Sequence, residues 1–181
     1  HFLTQQTGSL IYIAEVLLAA FFVIHIIYAI IIQINNWRSR PSRYKKVKGQ
    51  KGASRKTFGS VTMIYTGIIL IIFLSVHISQ FKFTEMTMYT PKGYDHQIGN
   101  LYAVVYSYFS NFWNVVFYIS VMVLLGFHLS HGFWSAFQSL GFYGKRFTPI
   151  AYGIGSAFAV FMAIGFLFLP VWIFMLTGGM V

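Results

Sequence analysis

The chain has 181 residues, of which 57% are hydrophobic, 20% aromatic and only 9% charged, with a formal net charge of +10 and a mean hydropathy of +0.66. Soluble domains carry about 25% charged residues, so this composition excludes an ordinary water-soluble fold. There are no cysteines, which excludes disulfides and any iron–sulfur cluster held by the chain's own thiolates.

A membrane span needs roughly 20 apolar residues to cross roughly 30 Å of hydrocarbon. Four runs qualify, at about 10–34, 59–81, 113–140 and 149–176. They fill most of the chain. The expected architecture is therefore an all-α transmembrane helical bundle forming a single domain over 1–181.

The first span contains AEVLLAAFFVIHIIYAIIIQI. The loop after it, NNWRSRPSRYKKVKGQKGASRK, is broken by Pro41, Gly49 and Gly52. Nine of the thirteen Lys and Arg lie between Arg38 and Lys56. A basic cluster can bind nucleic acid, but between two membrane spans the simpler reading is positive-inside topology. The second span is FGSVTMIYTGIILIIFLSVHISQF. The connection from Lys82 to Asn111 holds two of the three acids, Glu85 and Asp95. Its segment at about 99–111, rich in Tyr and Phe, is too short to span and predicts an interfacial helix at headgroup depth. The third span, WNVVFYISVMVLLGFHLSHGFWSAFQSL, leads through GFYGKRFTP into the fourth. Pro149 suits a first helical turn, while Pro170 removes a backbone donor and bends the span near its far end.

The loop 35–58 and the turn 141–148 carry cations and no acids, so both are expected on the cytoplasmic side. The termini and the 82–111 connection then lie outside, in a multi-pass membrane protein. Lys82 and Glu85 are expected to be solvated boundary charges.

Six histidines occur. His1 and His96 fall in outer segments that are usually wet. His25, His77, His128 and His131 lie inside spans, where ionisable groups are costly and mark function. At 1.5 Å of rise per residue, His25 lies roughly 4–5 Å, and His128 roughly 3 Å, to the cytoplasmic side of the midplane. His77 lies roughly 10 Å toward the outer face. Two imidazoles at matched depth on separate helices suit the axial ligation of one haem iron. Ala29 and Gly132, four residues after His25 and His128, share their helical faces and leave room for a flat ring. Spacing alone leaves other readings open. A buried histidine can join helices by hydrogen bonding. Zinc lacks support, because no cysteine or acid cluster accompanies these histidines. His131, one turn from His128, either ligates in its place or hydrogen-bonds a propionate, a water or a neighbour. His77 is either structural or paired with a segment outside this sequence. Glu15, near the outer end of the first span, is an intramembrane acid and a candidate proton relay, with snorkelling to the interface as the bland alternative.

At LLGFHLSHGFWSAFQSLG the chain resembles the membrane-anchor cytochrome b subunit of succinate dehydrogenase and quinol:fumarate reductase, in its single-anchor, two-haem branch. HFLTQQTGSLIYIAEV, FFVIHIIYA, SRPSRY, FLSVHISQF, GKRFTPI and GFLFLPV extend the likeness over essentially the whole chain. The resemblance implies five membrane helices, with haem ligands matching His25, His77 and His128. It implies His128 rather than His131, because relatives keep the histidine before S-x-G. This sequence has no counterpart of the first helix. An HF dipeptide like His1-Phe2 follows that helix in relatives, so a preceding span is expected, with a histidine that pairs with His77. The implied cofactors are two haem b groups and a quinone, menaquinone being the expected one. The implied partners are a flavoprotein and an iron–sulfur protein docked on the cytoplasmic face, the lipid bilayer and the quinone, with no nucleic acid. Electrons are expected to pass from the iron–sulfur subunit through the haem held by His25 and His128, then the haem held by His77, to a quinone near the outer face. Succinate oxidation belongs to the flavoprotein. Rival readings are a two-haem cytochrome b of a hydrogenase or formate dehydrogenase, a transporter, which would need more polar groups along a pathway, and a haem-free scaffold.

Overall fold

The computed structural model describes residues 8–39, 58–90, 92–93, 95, 97–142 and 144–178. His1, His96 and the basic run over 40–57 lie outside the described residues. The chain divides into two compact units, His1–Lys48 and Gly49–Val181.

The first unit holds one described helix, α1 (Gly8–Arg38). Its 31 residues extend about 46 Å, enough to cross a bilayer with polar turns to spare. Leu10, Phe21, Ile24, Ile31 and their neighbours are exposed along its length. An apolar surface on every side is what a helix in hydrocarbon presents. Arg38 closes the last turn, where a cation complements the negative end of the helix dipole. The helix continues four residues past the expected end at 34. Once a helix leaves the hydrocarbon, polar residues such as Asn35 and Asn36 no longer oppose it.

The second unit contains α2 (Phe58–Phe81), a hairpin of β1 (Met88–Tyr89) and β2 (Ile98–Gly99), α3 (Leu101–Phe109), α4 (Phe112–Ser139) and α5 (Phe147–Thr177). Among the described residues, four helices, α1, α2, α4 and α5, are long and apolar enough to cross a membrane. The protein is thus an all-α, multi-pass membrane protein whose environment is the lipid bilayer. Helices satisfy every backbone group internally, which is why they fill the apolar runs.

The short segment expected at the interface forms a nine-residue helix, α3, bounded by two asparagines. Asn100 Oδ1 accepts from the Ala103 amide at 3.0 Å. Asn111 Oδ1 accepts from the amides of Trp113 at 2.9 Å and Asn114 at 3.4 Å, and so starts α4. Side-chain caps of this kind satisfy amides that no helical carbonyl can reach. The hairpin was not expected from the sequence. Met88 pairs with Gly99 and Tyr89 with Ile98 in antiparallel register, and Gly93 supplies a positive φ of 88° in the connection.

Helix α4 is central and packs on both α2 and α5. Its seam with α5 is set by small residues at four-residue spacing. Ala151, Gly155 and Ala159 are buried on α5. A Cβ at Gly155 would lie 2.8 Å from Phe133 Cδ1, and one at Gly126 would lie 3.4 Å from the Ala163 methyl. In lipid, where no hydrophobic force gathers helices, such close approach is what holds them together. Trp134, 2% exposed, stacks on Tyr152 with ring centroids 4.4 Å apart. Helix α5 runs unbroken through the fully buried Pro170. At the end of the unit where α2 stops and α4 starts, Phe109, Val115, Tyr118 and Ile173 form the core, with Phe73, Phe81 and Tyr108 packed around it.

Candidate functional site

The intramembrane histidines of the second unit stand on the antiparallel pair α2 and α4. Two of them, His77 and His128, are each held by a hydroxyl from the opposite helix. His128, on α4, has Nδ1 3.1 Å from Thr66 Oγ1, on α2. The Thr66 hydroxyl donates back into its own helix, to the carbonyls of Met63 at 3.0 Å and Thr62 at 3.2 Å. With its hydrogen directed there, Oγ1 accepts from His128 Nδ1–H. The imidazole lone pair then sits on Nε2. Thr66 is 3% exposed, so the contact is shielded from competing water. Gly67 lies against the same ring. A Cβ there would meet His128 Cε1 at 3.6 Å, an ordinary contact.

His77, on α2, repeats the arrangement with the helices exchanged. Its Nδ1 is 3.2 Å from the phenol oxygen of Tyr118, on α4. Tyr118 donates its own hydrogen to Gln80 Oε1 at 3.1 Å. The phenol oxygen is left to accept from His77 Nδ1–H, and again Nε2 carries the lone pair. Phe73 stacks on the imidazole face at a centroid distance of 5.6 Å, with 29° between the planes. Phe81, one turn further, lies at 5.2 Å. Tyr118 is 6% exposed. The two arrangements occupy different levels. Thr66 and His77 are eleven residues apart on α2, and Tyr118 and His128 ten apart on α4. The separations correspond to about 15–17 Å of helix rise.

His131 is half-buried one turn beyond His128. Its Nδ1 is buried with no hydrogen-bond partner. A buried ring nitrogen without a partner costs free energy that a ligand or water can recover. Gly132, expected to make room beside His128, has the Met63 methyl as its neighbour, 3.8 Å from where a Cβ would stand. His25 and Glu15 lie on exposed positions of α1, in the first unit.

At the His77 end, a groove of about 490 Å³ opens beside the bundle. Gln80, Thr84, Glu85, Thr87, Ser107 and Tyr108 supply its polar lining. Gln80 joins the groove to the His77 arrangement through Tyr118. It also hydrogen-bonds Tyr108, and that bond opposes the effect of burial, which raises the Tyr108 phenol above its ordinary value.

Chemically, the second unit offers two imidazoles at different levels, each with its Nδ1 held by a hydroxyl of the facing helix. Among the described residues, no three His, Cys, Asp or Glu side chains converge as a metal-binding group. Sites that use one or two axial donors do not need such a group. Sequence reasoning missed Thr66, Tyr118 and Gln80. Their signal was present: in an antiparallel pair joined at the 82–111 connection, Thr66 falls level with His128, and Tyr118 with His77.

No protein-family model, curated protein or solved structure matches the chain.

Proposed function

We propose that this chain is a haem b-carrying membrane anchor of a succinate:quinone oxidoreductase in a bacterial inner membrane. In this reading it passes electrons between an iron–sulfur subunit and membrane quinone. The observation that carries the proposal is the pair of intramembrane histidines at two levels, each with Nδ1 donating to a hydroxyl of the facing helix. Metal-ligating histidines almost always donate their other ring N–H in this way; a bonded Nδ1–H fixes the tautomer and ring orientation and would leave Nε2 for an iron.

By the depth reading of the sequence, His25 and His128 are the expected ligands of one haem, and His77 the ligand on one face of a second. Bound haem supplies a one-electron carrier whose potential follows its axial ligands, their hydrogen bonds and its burial. The chain's own contribution is to fix the imidazoles, exclude water from Thr66 and Tyr118, and provide apolar walls. The unpartnered His131 Nδ1 is suited to meet a propionate or a water beside His128. The polar groove at Gln80 is where we put a quinone head, with Glu85 near its protons and Glu15 kept as a second candidate relay. In this reading the basic run between Arg38 and Lys56, expected on the cytoplasmic side by its charge, would complement the iron–sulfur partner and the propionates.

The test is the purified protein, expressed with its neighbouring subunits. A reduced b-type absorption band with copurifying flavin and iron–sulfur proteins that oxidise succinate is the expected result. Absence of the band returns the chain to a haem-free scaffold. A band with hydrogenase or formate dehydrogenase subunits instead makes it the cytochrome of another quinone-linked enzyme.

A further inference from the structure

Tyr118 is more than a packing residue. It is the only one of the core residues Phe109, Val115, Tyr118 and Ile173 with a polar atom on its side chain, and that atom makes two contacts. It lies 3.2 Å from His77 Nδ1 and 3.1 Å from Gln80 Oε1. Direction runs one way along this line. The amide oxygen of Gln80 can only accept, so the phenol hydrogen goes to it. The phenol oxygen, its electron density raised by donating, then accepts from the imidazole. A stronger acceptor at Nδ1–H makes Nε2 a stronger electron donor. Gln80 also lines the groove, so the line ends at the groove wall.

We propose that Tyr118 and Gln80 are positioning residues that set the donor strength of His77 Nε2, through the hydrogen-bonded line Gln80–Tyr118–His77. This rests on the reading of His77 as a haem ligand. The relay fixes the tautomer and gives the imidazole partial imidazolate character, which favours ferric over ferrous iron. The acceptor at His128 is of another kind. Thr66 Oγ1 is tied to the backbone carbonyls of Met63 and Thr62, whose acceptor strength no side-chain change alters. The line from the outer groove thus reaches the His77 level and not the Thr66 hydroxyl.

The experiment is redox titration of the purified full complex, with Tyr118→Phe, Gln80→Glu and the double variant beside the wild type. Tyr118→Phe keeps the buried ring and removes the acceptor. The potential of the His77 haem should rise, by up to the equivalent of a tenfold change in ferric preference, about 59 mV for one electron. The other haem should not move. Gln80→Glu strengthens the acceptor for the phenol hydrogen and should lower the same potential. In the double variant the effect of the Gln80→Glu change should disappear, because the line is cut at Tyr118. Equal lowering by Gln80→Glu with and without Tyr118→Phe would show a through-space charge effect and overturn the relay. An unchanged potential in Tyr118→Phe, with full haem content, overturns it as well. Failure of the underlying reading looks different: no haem in the wild type, or full haem retention in His77→Ala.

Discussion

Thr66 and His128 share a hydrogen bond of 3.1 Å between two membrane helices, and His77 and Tyr118 share its mirror at 3.2 Å. In each pair the histidine is on one helix and the hydroxyl on the other, with the roles of α2 and α4 exchanged. The exchange cross-links the two helices at two levels and orients both imidazoles by the same act. Thr66→Val keeps the shape and deletes the acceptor, leaving His128 Nδ1–H buried without it. The expected loss is about 1–2 kcal/mol of stability in mixed-micelle unfolding, with Thr66→Ser recovering most of it. Nitrogen-15 spectra of the haem-free protein should show His128 protonated at Nδ1 in the wild type. Protonation at Nε2 would contradict the orientation argued for the Thr66 hydroxyl.

Two glycines on α5 should respond oppositely to the same methyl group. Gly155 is buried, and its added Cβ would lie 2.8 Å from Phe133 Cδ1 and 3.3 Å from Phe133 Cβ. Neither the ring nor the backbone of α4 can yield without disturbing the seam, so Gly155→Ala should cost about 1–3 kcal/mol. Gly153 is exposed, with nothing within 4 Å of such a Cβ. Gly153→Ala should be neutral or stabilise by up to about 1 kcal/mol through helix propensity. Unfolding of both variants in the same micelles compares them directly, and equal effects would remove the case for close packing at Gly155.

How much of this was legible in the sequence depends on which coordinate is asked for. Position along a helix axis is set by residue number, and the four spans and the separation of the His77 and His128 levels follow from run length and rise per residue. The asparagine caps at Asn100 and Asn111 are equally local signals, and reading them would have trimmed the expected interfacial helix from 99–111 to Leu101–Phe109. Rotation about each helix axis is another matter. A span apolar on every side has no polar face to orient it, so nothing in α2 announced that Thr66 turns toward α4. Packing of Gly126 against Ala163 and of Gly155 against Phe133 fixes the rotation of α4, and those contacts exist only in the folded bundle. The hairpin of Met88 and Tyr89 with Ile98 and Gly99 was missed because two-residue strands carry no periodicity.

Alkaline pH should act first on α3, whose nine residues are too few to cross a membrane. Burial raises the Tyr108 phenol above its ordinary value of 10.0, and its hydrogen bond with Gln80 works the other way. The folded protein therefore holds the Tyr108 proton to higher pH than the unfolded chain. Below pH 10 both states keep the proton and the docking of α3 is unaffected. As pH rises through the folded value, the unfolded chain has already released its proton and stability falls. Limited proteolysis of the 82–111 connection should accelerate above about pH 10–11 in the wild type. In Tyr108→Phe that acceleration should be weaker, and an identical alkaline profile would assign the effect to other groups.

The pairing of the histidines makes the strongest demand on the proposed function, because three single replacements must fall into two classes. If His25 and His128 hold one haem between them, then His25→Ala and His128→Ala remove the same optical and paramagnetic signal and leave the other. His77→Ala must remove the second signal and spare the first. The difference in level between His77 and His128, about 15 Å along the helices, makes mutual interference small. A phenotype shared by His25 and His77 would place the α1 histidine at the other level and break the depth assignment. His131→Ala provides the internal control. Its unpartnered Nδ1 predicts a shifted potential for the His128 haem with full occupancy. Loss of that haem in His131→Ala, with retention in His128→Ala, would exchange the roles of the two histidines on α4.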